Sequence, residues 1–347
     1  YGGGDFTVGD GQVYFVANGR LYQQGLAGGI AQTITPKFGG YASPRVSPDG
    51  NWLAYVHSYE NNDGIVLVDT AGERFPRKLA FGTDFVMQPT WHPAGTHIAY
   101  VAWNHPQMPW NGSELRLIQL EIDGTGMPYA DTIVTLEGDP NTAIFQPEFS
   151  PDGRYLSYIS DVTGWGQLYI YDLESQTHTQ LTANEAEHGT PAWIQGMRMY
   201  GWSQDGKSIF YLENNRAMFS LMRFNIEAGT SKSITGLEQY THMEQLTVSP
   251  DNSVAVIAAS STIPPRIVTF NPETGARIHR RSETENLQAN KLSAAQALVW
   301  QGDDGDDVHG LYYPPIAQEE MPDGAPPVLV YIHGGPTSQR TASYYSE

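Results

Sequence analysis

The sequence predicts an all-β protein, a β-propeller of four-stranded blades, and three observations support this fold class. A turn motif of the S-P-D-G kind recurs six times along the chain. Each copy is followed by an apolar run of the length of a strand. Charged residues make up only 16% of the chain, which is instead rich in Gly (36) and Tyr (20), a composition that suits strands and tight turns better than helices.

The turn motif defines the repeat. Its copies are "SPDGNWLAYV" from Ser47, "SPDGRYLSYI" from Ser150, "SQDGKSIFYL" from Ser203, "SPDNSVAVIA" from Ser249, and the degenerate "HPAGTHIAYV" from His92 and "VGDGQVYFVA" from Val8. The last turn residue is Gly11, Gly50, Gly95, Gly153, Gly206 and Asn252 in chain order, at intervals of 39 to 58 residues. Pro presets φ for a turn, and Gly or Asn accepts the left-handed conformation that closes it.

The residues between turns predict about four strands per repeat. After each turn strand comes a second apolar run such as "GIVLVDT" or "QLYIYDL", and then a short outer strand such as "TQLT". Four strands per repeat are typical of a propeller blade. We therefore expect a propeller over residues 1–286, with six blades visible and a seventh possible in the intact protein. A β-helix has shorter repeats, and a sandwich would not repeat one turn six times.

Composition excludes several classes of function. Acidic residues outnumber basic ones 38 to 19, giving a net charge of −19, which argues against a nucleic acid partner because phosphate binding needs clustered Lys and Arg. No apolar run is long enough for a membrane helix, so we expect no membrane partner. The chain has no Cys, which excludes disulfides and thiol chemistry. We expect no cofactor and a cytoplasmic location, with a secreted or periplasmic one as the alternative; the oligomeric state stays open.

The sequence changes character after residue 286. A polar connector (287–297) precedes two predicted strands around an acidic turn that holds Asp303, Asp304, Asp306 and Asp307. The spacing of these residues lacks the Gly and terminal Glu of an EF-hand loop, so a solvated hairpin turn is favoured over a calcium site. Next, "VLVYI" (328–332) is typical of a parallel strand buried on both faces, and it runs directly into His333, Gly334 and Gly335.

A Gly-Gly turn after such a strand brings bare backbone N–H groups to the edge of a sheet, where α/β-hydrolases form part of the oxyanion hole. Together with "YGGGDFTV", "YASPRVSPDGNWLAY", "FQPEFSPDGRYLSYISDVTGWGQLYIYD" and "AEHGTPAW", the segment "YIHGGPTSQ" resembles the prolyl oligopeptidase family of serine peptidases. Within it, the branch of acylaminoacyl-peptidases and bacterial dipeptidyl-peptidase-like enzymes is the nearest. The resemblance implies a propeller followed by an α/β-hydrolase domain whose start is residues 287–347, truncated before the nucleophile.

The same resemblance implies hydrolysis of short peptides through an acyl-enzyme, with Gly334 and Gly335 as the oxyanion loop and His333 as its support. The Ser-Asp-His triad has no counterpart, because no G-x-S-x-G occurs in the 347 residues, and Ser203 in the near match "GWSQD" belongs to a predicted turn. We therefore expect this chain to be inactive by itself and to need the remainder of its own hydrolase domain as a partner. The alternative is a non-catalytic propeller that binds a ligand and carries an inert hydrolase remnant.

Two loops are further candidates for substrate binding, namely residues 104–114 and 183–191. In some dipeptidyl-peptidase relatives, acidic propeller residues hold the amino terminus of the substrate, and Glu185 and Glu187 are candidates for that role. A solvated loop is the ordinary explanation of such Glu residues. His92 and His97 lie five residues apart across a turn, but no third ligand is spaced to join them, so no metal site is expected.

Overall fold

The computed structural model of the chain describes residues 3–283, 291–316, 324–335 and 337–345. Across these residues the structure consists of β-strands and loops, without an α-helix. Accordingly, the described residues include no helix that is long and apolar enough to cross a membrane. The predicted domain boundary at residues 286–287 falls outside the described residues, as does the start of the predicted connector.

The first compact unit comprises Tyr1–Ala183 and Gly189–Met197 and contains four antiparallel sheets of four strands each. The first two sheets are formed by β1 (Phe6–Gly9), β2 (Gln12–Ala17), β3 (Arg20–Gly25) and β4 (Gln32–Thr33), and by β5 (Gly40–Val46), β6 (Trp52–Tyr59), β7 (Asn62–Asp69) and β8 (Arg77–Ala80). The next two are formed by β9 (Phe85–Trp91), β10 (His97–Trp103), β11 (Ser113–Ile122) and β12 (Pro128–Asp139), and by β13 (Ile144–Phe149), β14 (Tyr155–Ser160), β15 (Gln167–Asp172) and β16 (Thr177–Gln180).

The second unit comprises Asn184–His188 and Arg198–Glu347 and contains two further four-stranded sheets and a separate hairpin. The sheets are formed by β17 (Tyr200–Trp202), β18 (Ser208–Asn215), β19 (Met218–Asn225) and β20 (Thr230–Ser233), and by β21 (His242–Val248), β22 (Val254–Ser260), β23 (Ile263–Asn271) and β24 (Gly275–Arg281). The hairpin consists of β25 (Gln296–Gln301) and β26 (Asp307–Tyr312).

All six four-stranded sheets have the same topology, in which consecutive strands pair as an antiparallel meander. This is the blade of a β-propeller, and the described residues contain six of them, which confirms the predicted fold class. Every predicted turn residue lies between the first and second strands of its blade, and its φ is positive, between 61° and 76°. The repeat in the sequence therefore marks one structurally equivalent turn in each blade.

The serine of the turn motif has a structural role that repeats between blades. The Ser150 hydroxyl donates to the Asp152 carboxylate at 2.6 Å and accepts the Tyr155 N–H at 2.9 Å. Ser203 makes the equivalent bond to Asp205 at 2.7 Å, and its side chain is buried. A serine held in this way closes a turn, so the near match to a nucleophile motif at Ser203 is a blade turn, as expected from the sequence.

Apolar side chains pack between neighbouring blades of the first unit. One cluster joins the first two sheets and is built from Tyr14, Leu21, Ile34, Leu53, Tyr55, Val66 and Val68. A larger one joins the second and third sheets and includes Ala54, Val56, Ile65, Leu67, Val86, Ile98, Tyr100, Ile118 and Leu120. The core thus lies between the faces of adjacent sheets, which explains why the second and third strands of several blades are apolar on both faces.

A polar network crosses the first strands of three blades in the same unit. The side chain of Gln195, which is buried, accepts hydrogen bonds from the Ser43 hydroxyl at 2.8 Å and the Gln88 N–H at 3.2 Å. The Gln88 side chain in turn accepts the N–H of Gln146 at 2.8 Å. Ser43, Gln88 and Gln146 have φ values of 47° to 51° and lie at irregularities in strand pairing, so each first strand bulges where the network meets it.

The hairpin β25–β26 confirms the two strands predicted around the acidic turn, and Asp303, Asp304 and Asp306 are exposed there. Residues 328–332, in contrast, were expected to form a buried strand, and this expectation is wrong for the described chain. They lie outside any strand, and their side chains are 71–94% exposed. A strand needs a hydrogen-bonded neighbour, and none of the described segments pairs with this one.

We predict that Gly153→Ala destabilises the protein more than Gly95→Ala. Both glycines have a positive φ, so either substitution strains the backbone by about 1–2 kcal/mol. A Cβ atom at Gly153 would also lie 2.4 Å from Nε2 of His92, whereas one at Gly95 would meet open space. Urea unfolding of the two variants and the wild type measures the difference. Equal losses of unfolding free energy would show that the His92 side chain can move away from the added Cβ atom at no cost.

Candidate functional site

The predicted oxyanion loop forms an exposed turn in the second unit. Gly335 has a φ of 86°, and its carbonyl oxygen accepts the N–H of Ser338 at 3.4 Å. His333, Gly334 and Gly335 are all exposed, and Nδ1 of His333 lies 3.3 Å from the carbonyl oxygen of Gly334. The positive φ is a conformation that favours glycine at position 335. The turn therefore leaves its backbone groups accessible to a ligand.

The segment after this turn is fixed to the two blades of the second unit. The Asn214 side-chain amide, at the end of β18, donates a hydrogen bond to Oε1 of Gln339 at 2.8 Å. The Thr241 hydroxyl donates to the carbonyl oxygen of Ala342 at 2.6 Å, and Ala342 is fully buried. Residues 337–342 are thus held by hydrogen bonds and burial, whereas the apolar residues before the turn are exposed.

One arginine connects the two sides of the turn. The Arg340 guanidinium lies over the ring of Tyr331, before the turn, at 4.5 Å from its centroid. It also lies over the ring of Tyr345, after the turn, at 4.1 Å. Attraction between a cation and the faces of two aromatic rings restrains both flanks of the His333–Gly335 turn. Lysine would replace this arrangement poorly, because its ammonium is not planar.

The predicted acidic candidates differ in their surroundings. Glu185 is exposed, as in an ordinary solvated loop. Glu187 is half-buried, and its backbone exchanges two hydrogen bonds with the backbone of Asn214, at 3.0 and 2.8 Å. Since Asn214 also binds Gln339, the structure connects the loop of Glu187 with the segment that follows the Gly335 turn. Asn214 thereby connects two candidate segments that are far apart in the sequence, the loop of Glu187 and the residues after the Gly335 turn.

A third glutamate near this loop was missed in the sequence. Glu213 of β18 has a carboxylate oxygen 3.4 Å from Nε2 of His188 and accepts the Asn184 side-chain amide at 2.9 Å. His188 is buried, with its ring against that of Tyr211. The contact with His188, followed by that with Asn184, lowers the pKa of Glu213 below its ordinary value, although burial opposes this shift. Glu213 therefore stays ionised and fixes the loop.

The candidate loop 104–114 belongs to the first unit and folds against a neighbouring loop. Its Trp110 ring lies 4.4 Å, centroid to centroid, from the ring of Trp193, which is partly exposed. At the start of the loop, the Asn104 side chain accepts the Asp84 N–H at 2.8 Å, and the Asp84 carboxylate accepts the His105 N–H at 2.8 Å. These hydrogen bonds give the loop a defined position beside β9.

His92 and His97 do share a face, as their spacing suggested, with ring centroids 5.6 Å apart. Nδ1 of His92 accepts the Ala94 N–H at 3.1 Å, and Nε2 lies 3.0 Å from the carbonyl oxygen of Gly153. Both ring nitrogens of His92 are therefore used in blade turns. Burial and the neighbouring His92 lower the pKa of His97. The pair stabilises the junction of two turns.

We predict that Glu213→Gln reduces stability in a pH-dependent way. Because the pKa of Glu213 is lowered in the folded state, its ionised form stabilises the fold above the ordinary value of 4.5. That contribution is lost as the pH falls through the lowered pKa. The difference in unfolding free energy between wild type and Glu213→Gln should therefore be largest at neutral pH and shrink in acid. Glu185→Gln, on the exposed part of the same loop, is the control and should show little difference at any pH. A gap between wild type and Glu213→Gln that is independent of pH would contradict the prediction.

The sequence of the chain is similar to those of several known proteins. Residues 128–247 match the family model of the dipeptidyl peptidase IV (DPP IV) N-terminal region. Among curated proteins, dipeptidyl-peptidase 5 of Porphyromonas gingivalis is 24% identical over 268 residues, which are 74% of this chain and 35% of that protein. A probable dipeptidyl-peptidase 5 of Aspergillus terreus is 21% identical over 335 residues, 90% of this chain and 37% of that protein.

The fold of the chain is also similar to those of solved structures. A puromycin-hydrolysing peptidase of Mycobacterium tuberculosis is 26% identical with a TM-score of 0.80, over 94% of this chain and 52% of that one. A mutant of puromycin hydrolase complexed with PGG is 27% identical with a TM-score of 0.82, over 97% of this chain and 54% of that one. The chain thus spans about a third of the length of the curated relatives and about half of these structures. Together, the similarities support a relationship with the propeller region of peptidases of the dipeptidyl-peptidase and prolyl oligopeptidase kind.

Proposed function

We propose that the chain is the propeller and oxyanion-loop portion of a serine peptidase that hydrolyses short peptides by acyl-enzyme chemistry. Within the prolyl oligopeptidase family we assign it to the branch of acylaminoacyl-peptidases and bacterial dipeptidyl-peptidase-like enzymes. The observation that carries the proposal is the similarity in fold to puromycin-hydrolysing peptidases along 94–97% of the chain. That one of these neighbours was solved with PGG bound supports a peptide as the substrate.

In this proposal the Gly335 turn contributes a backbone N–H to the oxyanion hole. Negative charge develops on the substrate carbonyl oxygen in the tetrahedral transition state. A hydrogen bond from a donor fixed there is therefore stronger in the transition state than in the ground state. The open space around Gly334 and Gly335 supports this role, since a Cβ at Gly334 would meet no atom within 4 Å and one at Gly335 only Ser338, at 3.6 Å. A substrate can therefore approach the turn.

The acidic loop and the turn would act together. Asn214 binds the backbone of Glu187 on one side and the side chain of Gln339 on the other. We propose that Glu187, and more weakly the exposed Glu185, attract the amino group of a peptide while Gly335 contacts its carbonyl group. Glu213 would support the loop from beneath through His188 and Asn184.

The second candidate function is a non-catalytic propeller that binds a peptide. It is favoured by one observation, namely that no G-x-S-x-G motif occurs in the 347 residues. Under the peptidase proposal, the nucleophile, its Asp and its His are supplied by further sequence, in keeping with the greater length of the relatives. The two functions differ in their reaction with a serine-directed reagent.

We predict that a fluorophosphonate probe labels the full-length gene product at one serine and leaves the isolated 347-residue chain unlabelled. The probe reacts only with a serine activated by a neighbouring base, and Ser203 is instead held in a blade turn by Asp205. Mass spectrometry of both proteins measures the stoichiometry. Labelling of the 347-residue chain would contradict the proposal that the nucleophile lies in further sequence, and an unlabelled full-length product would favour the binding module.

We predict that Gly335→Val in the full-length protein lowers kcat by about 10²–10³ and changes KM less, as expected for the loss of one oxyanion donor. The matched control is Gly305→Val in the turn of the β25–β26 hairpin. Gly305 has nearly the same φ, 89° against 86°, and is likewise exposed. Both variants should lose similar stability, and only Gly335→Val should lose activity. His333→Ala should have a milder effect if His333 only supports the loop. An unchanged kcat per folded molecule would remove Gly335 from the mechanism.

A further inference from the structure

The guanidinium of Arg340 is a cation without a carboxylate partner in a strongly acidic protein. Arg77, Arg116 and Arg154 each pair with a carboxylate, at 2.6 to 2.9 Å. Arg340 has no such partner among the residues that the structure describes, although the chain contains 38 acidic residues against 19 basic ones. Arg340 is also only partly buried, so a ligand from solution can reach it.

Two aromatic rings hold this cation without using its hydrogen-bond donors. The guanidinium carbon lies 4.5 Å from the ring centroid of Tyr331 and 4.1 Å from that of Tyr345. A cation–π contact is made with the face of a ring, so the five N–H groups of the guanidinium stay available to an oxygen acceptor. Their planar fork fits the two oxygens of a carboxylate, which an ammonium group cannot match.

The surroundings of Arg340 are fixed before any ligand binds. The Thr341 hydroxyl lies 3.0 Å from that of Ser343 and 3.2 Å from that of Tyr345, which supports one of the two rings. Ala342 is fully buried, so the backbone beside Arg340 is anchored to the blades. A cation held in this way loses less conformational freedom on binding, which favours affinity.

The positive charge of Arg340 acts on the acidic hydroxyls around it. Burial raises the pKa of the Tyr345 phenol, but its hydrogen bonds with Ser343 and Thr341 and the charge of Arg340 outweigh burial, so the pKa is lowered. Burial and the neighbouring Tyr345 raise the pKa of Tyr313, and the charge of Arg340 opposes that shift. A cation that favours the anionic form of a neighbouring phenol also attracts a carboxylate.

Arg340 lies within the reach of a short peptide from the Gly335 turn. It follows Gly335 by five residues, so the two Cα atoms are at most about 18 Å apart. The hydrogen bond from the Ser338 N–H to the Gly335 carbonyl oxygen, at 3.4 Å, folds the segment and shortens this distance. A carbonyl group at Gly335 and a carboxylate at Arg340 can therefore belong to one peptide of a few residues.

We propose that Arg340 binds the C-terminal carboxylate of a short peptide. The two carboxylate oxygens accept hydrogen bonds from the guanidinium fork, while Tyr331 and Tyr345 hold the guanidinium in place. The inference rests on the peptidase function proposed above and adds to it a preference for a free carboxyl end close to the bond that is cut. A folded protein, or a peptide with a blocked carboxyl end, lacks this contact.

The test is a calorimetric titration of the 347-residue chain with N-acetyl-triglycine and with N-acetyl-triglycinamide at neutral pH. The two ligands differ only in the carboxylate. We expect the acid to bind roughly 10- to 100-fold more tightly, the range for hydrogen bonds to a charged group. The net charge of −19 repels the acid from the protein as a whole, so this preference requires a local cation.

Two variants of Arg340 test the assignment to this side chain. Arg340→Met should abolish the preference for the acid. Arg340→Lys keeps the charge and loses the planar fork, so it should bind the acid more weakly than the wild type does. The matched control is Arg216→Met, which removes the same charge from the exposed β18–β19 hairpin of the same unit and should keep the full preference.

Inorganic phosphate separates a peptide site from a general anion site. It should bind more weakly than N-acetyl-triglycine, because it cannot also reach the Gly335 turn; equally tight binding would overturn the assignment to a peptide. Equal affinity for acid and amide, no binding of the acid at millimolar concentration, or a preference that is undiminished in both Arg340 variants would also overturn it. The titration needs no turnover, so its failure would leave the result of the fluorophosphonate labelling unaffected.

Discussion

The hydrogen bonds of the Gln195 side chain join the second and third blades of the first unit. This buried amide binds Ser43 on the second blade and the backbone of Gln88 on the third, and its own N–H group donates to Val86 at 3.0 Å. Apolar side chains also pack between the blades, but such packing is not directional. Directional bonds to a single buried amide fix the register between blades, because a polar group left without its partner there would be costly.

This network also shows which parts of the fold could be predicted from the sequence and which could not. The turns were visible in the sequence because a left-handed residue at a hairpin is a local requirement, met by Gly or Asn at one fixed point of each repeat. The bulges were overlooked, although four of the six blades carry the same signal. Ser43, Gln88, Gln146 and Gln245 each have a positive φ and each lie seven residues before the turn residue of their blade. Three of them precede a proline. The partner of these bulges cannot be read from a local pattern, because Gln195 comes from a distant segment of the chain.

The candidate site also has one part that the local sequence reveals and another part that it does not. The Gly335 turn could be located from four residues, since its conformation depends on glycine and little else. The strand expected before it could not, because a β-strand exists only through its neighbours and none of the described segments pairs with residues 328–332. Glu185 and Glu187 were selected for their place in a charged loop. Glu213, whose carboxylate contacts His188 and Asn184, lies more than 20 residues beyond the loop, where no sequence pattern connected it with His188.

Exposure around the turn adds an argument about its partner. Val328, Leu329 and Ile332 are 79%, 94% and 87% exposed, in one continuous apolar run. Soluble proteins seldom expose such a run unless another surface covers it, because each side chain buried there would gain about 1.5–3 kcal/mol. The segment after the turn needs no such cover, since Gln339 and Ala342 are already held by the blades. The turn thus has one flank fixed by the propeller and one flank that is apolar and uncovered. Under the peptidase proposal, a hydrolase sheet that adds strands beside residues 328–332 would bury this second flank, and Gly335 would then be held from both sides.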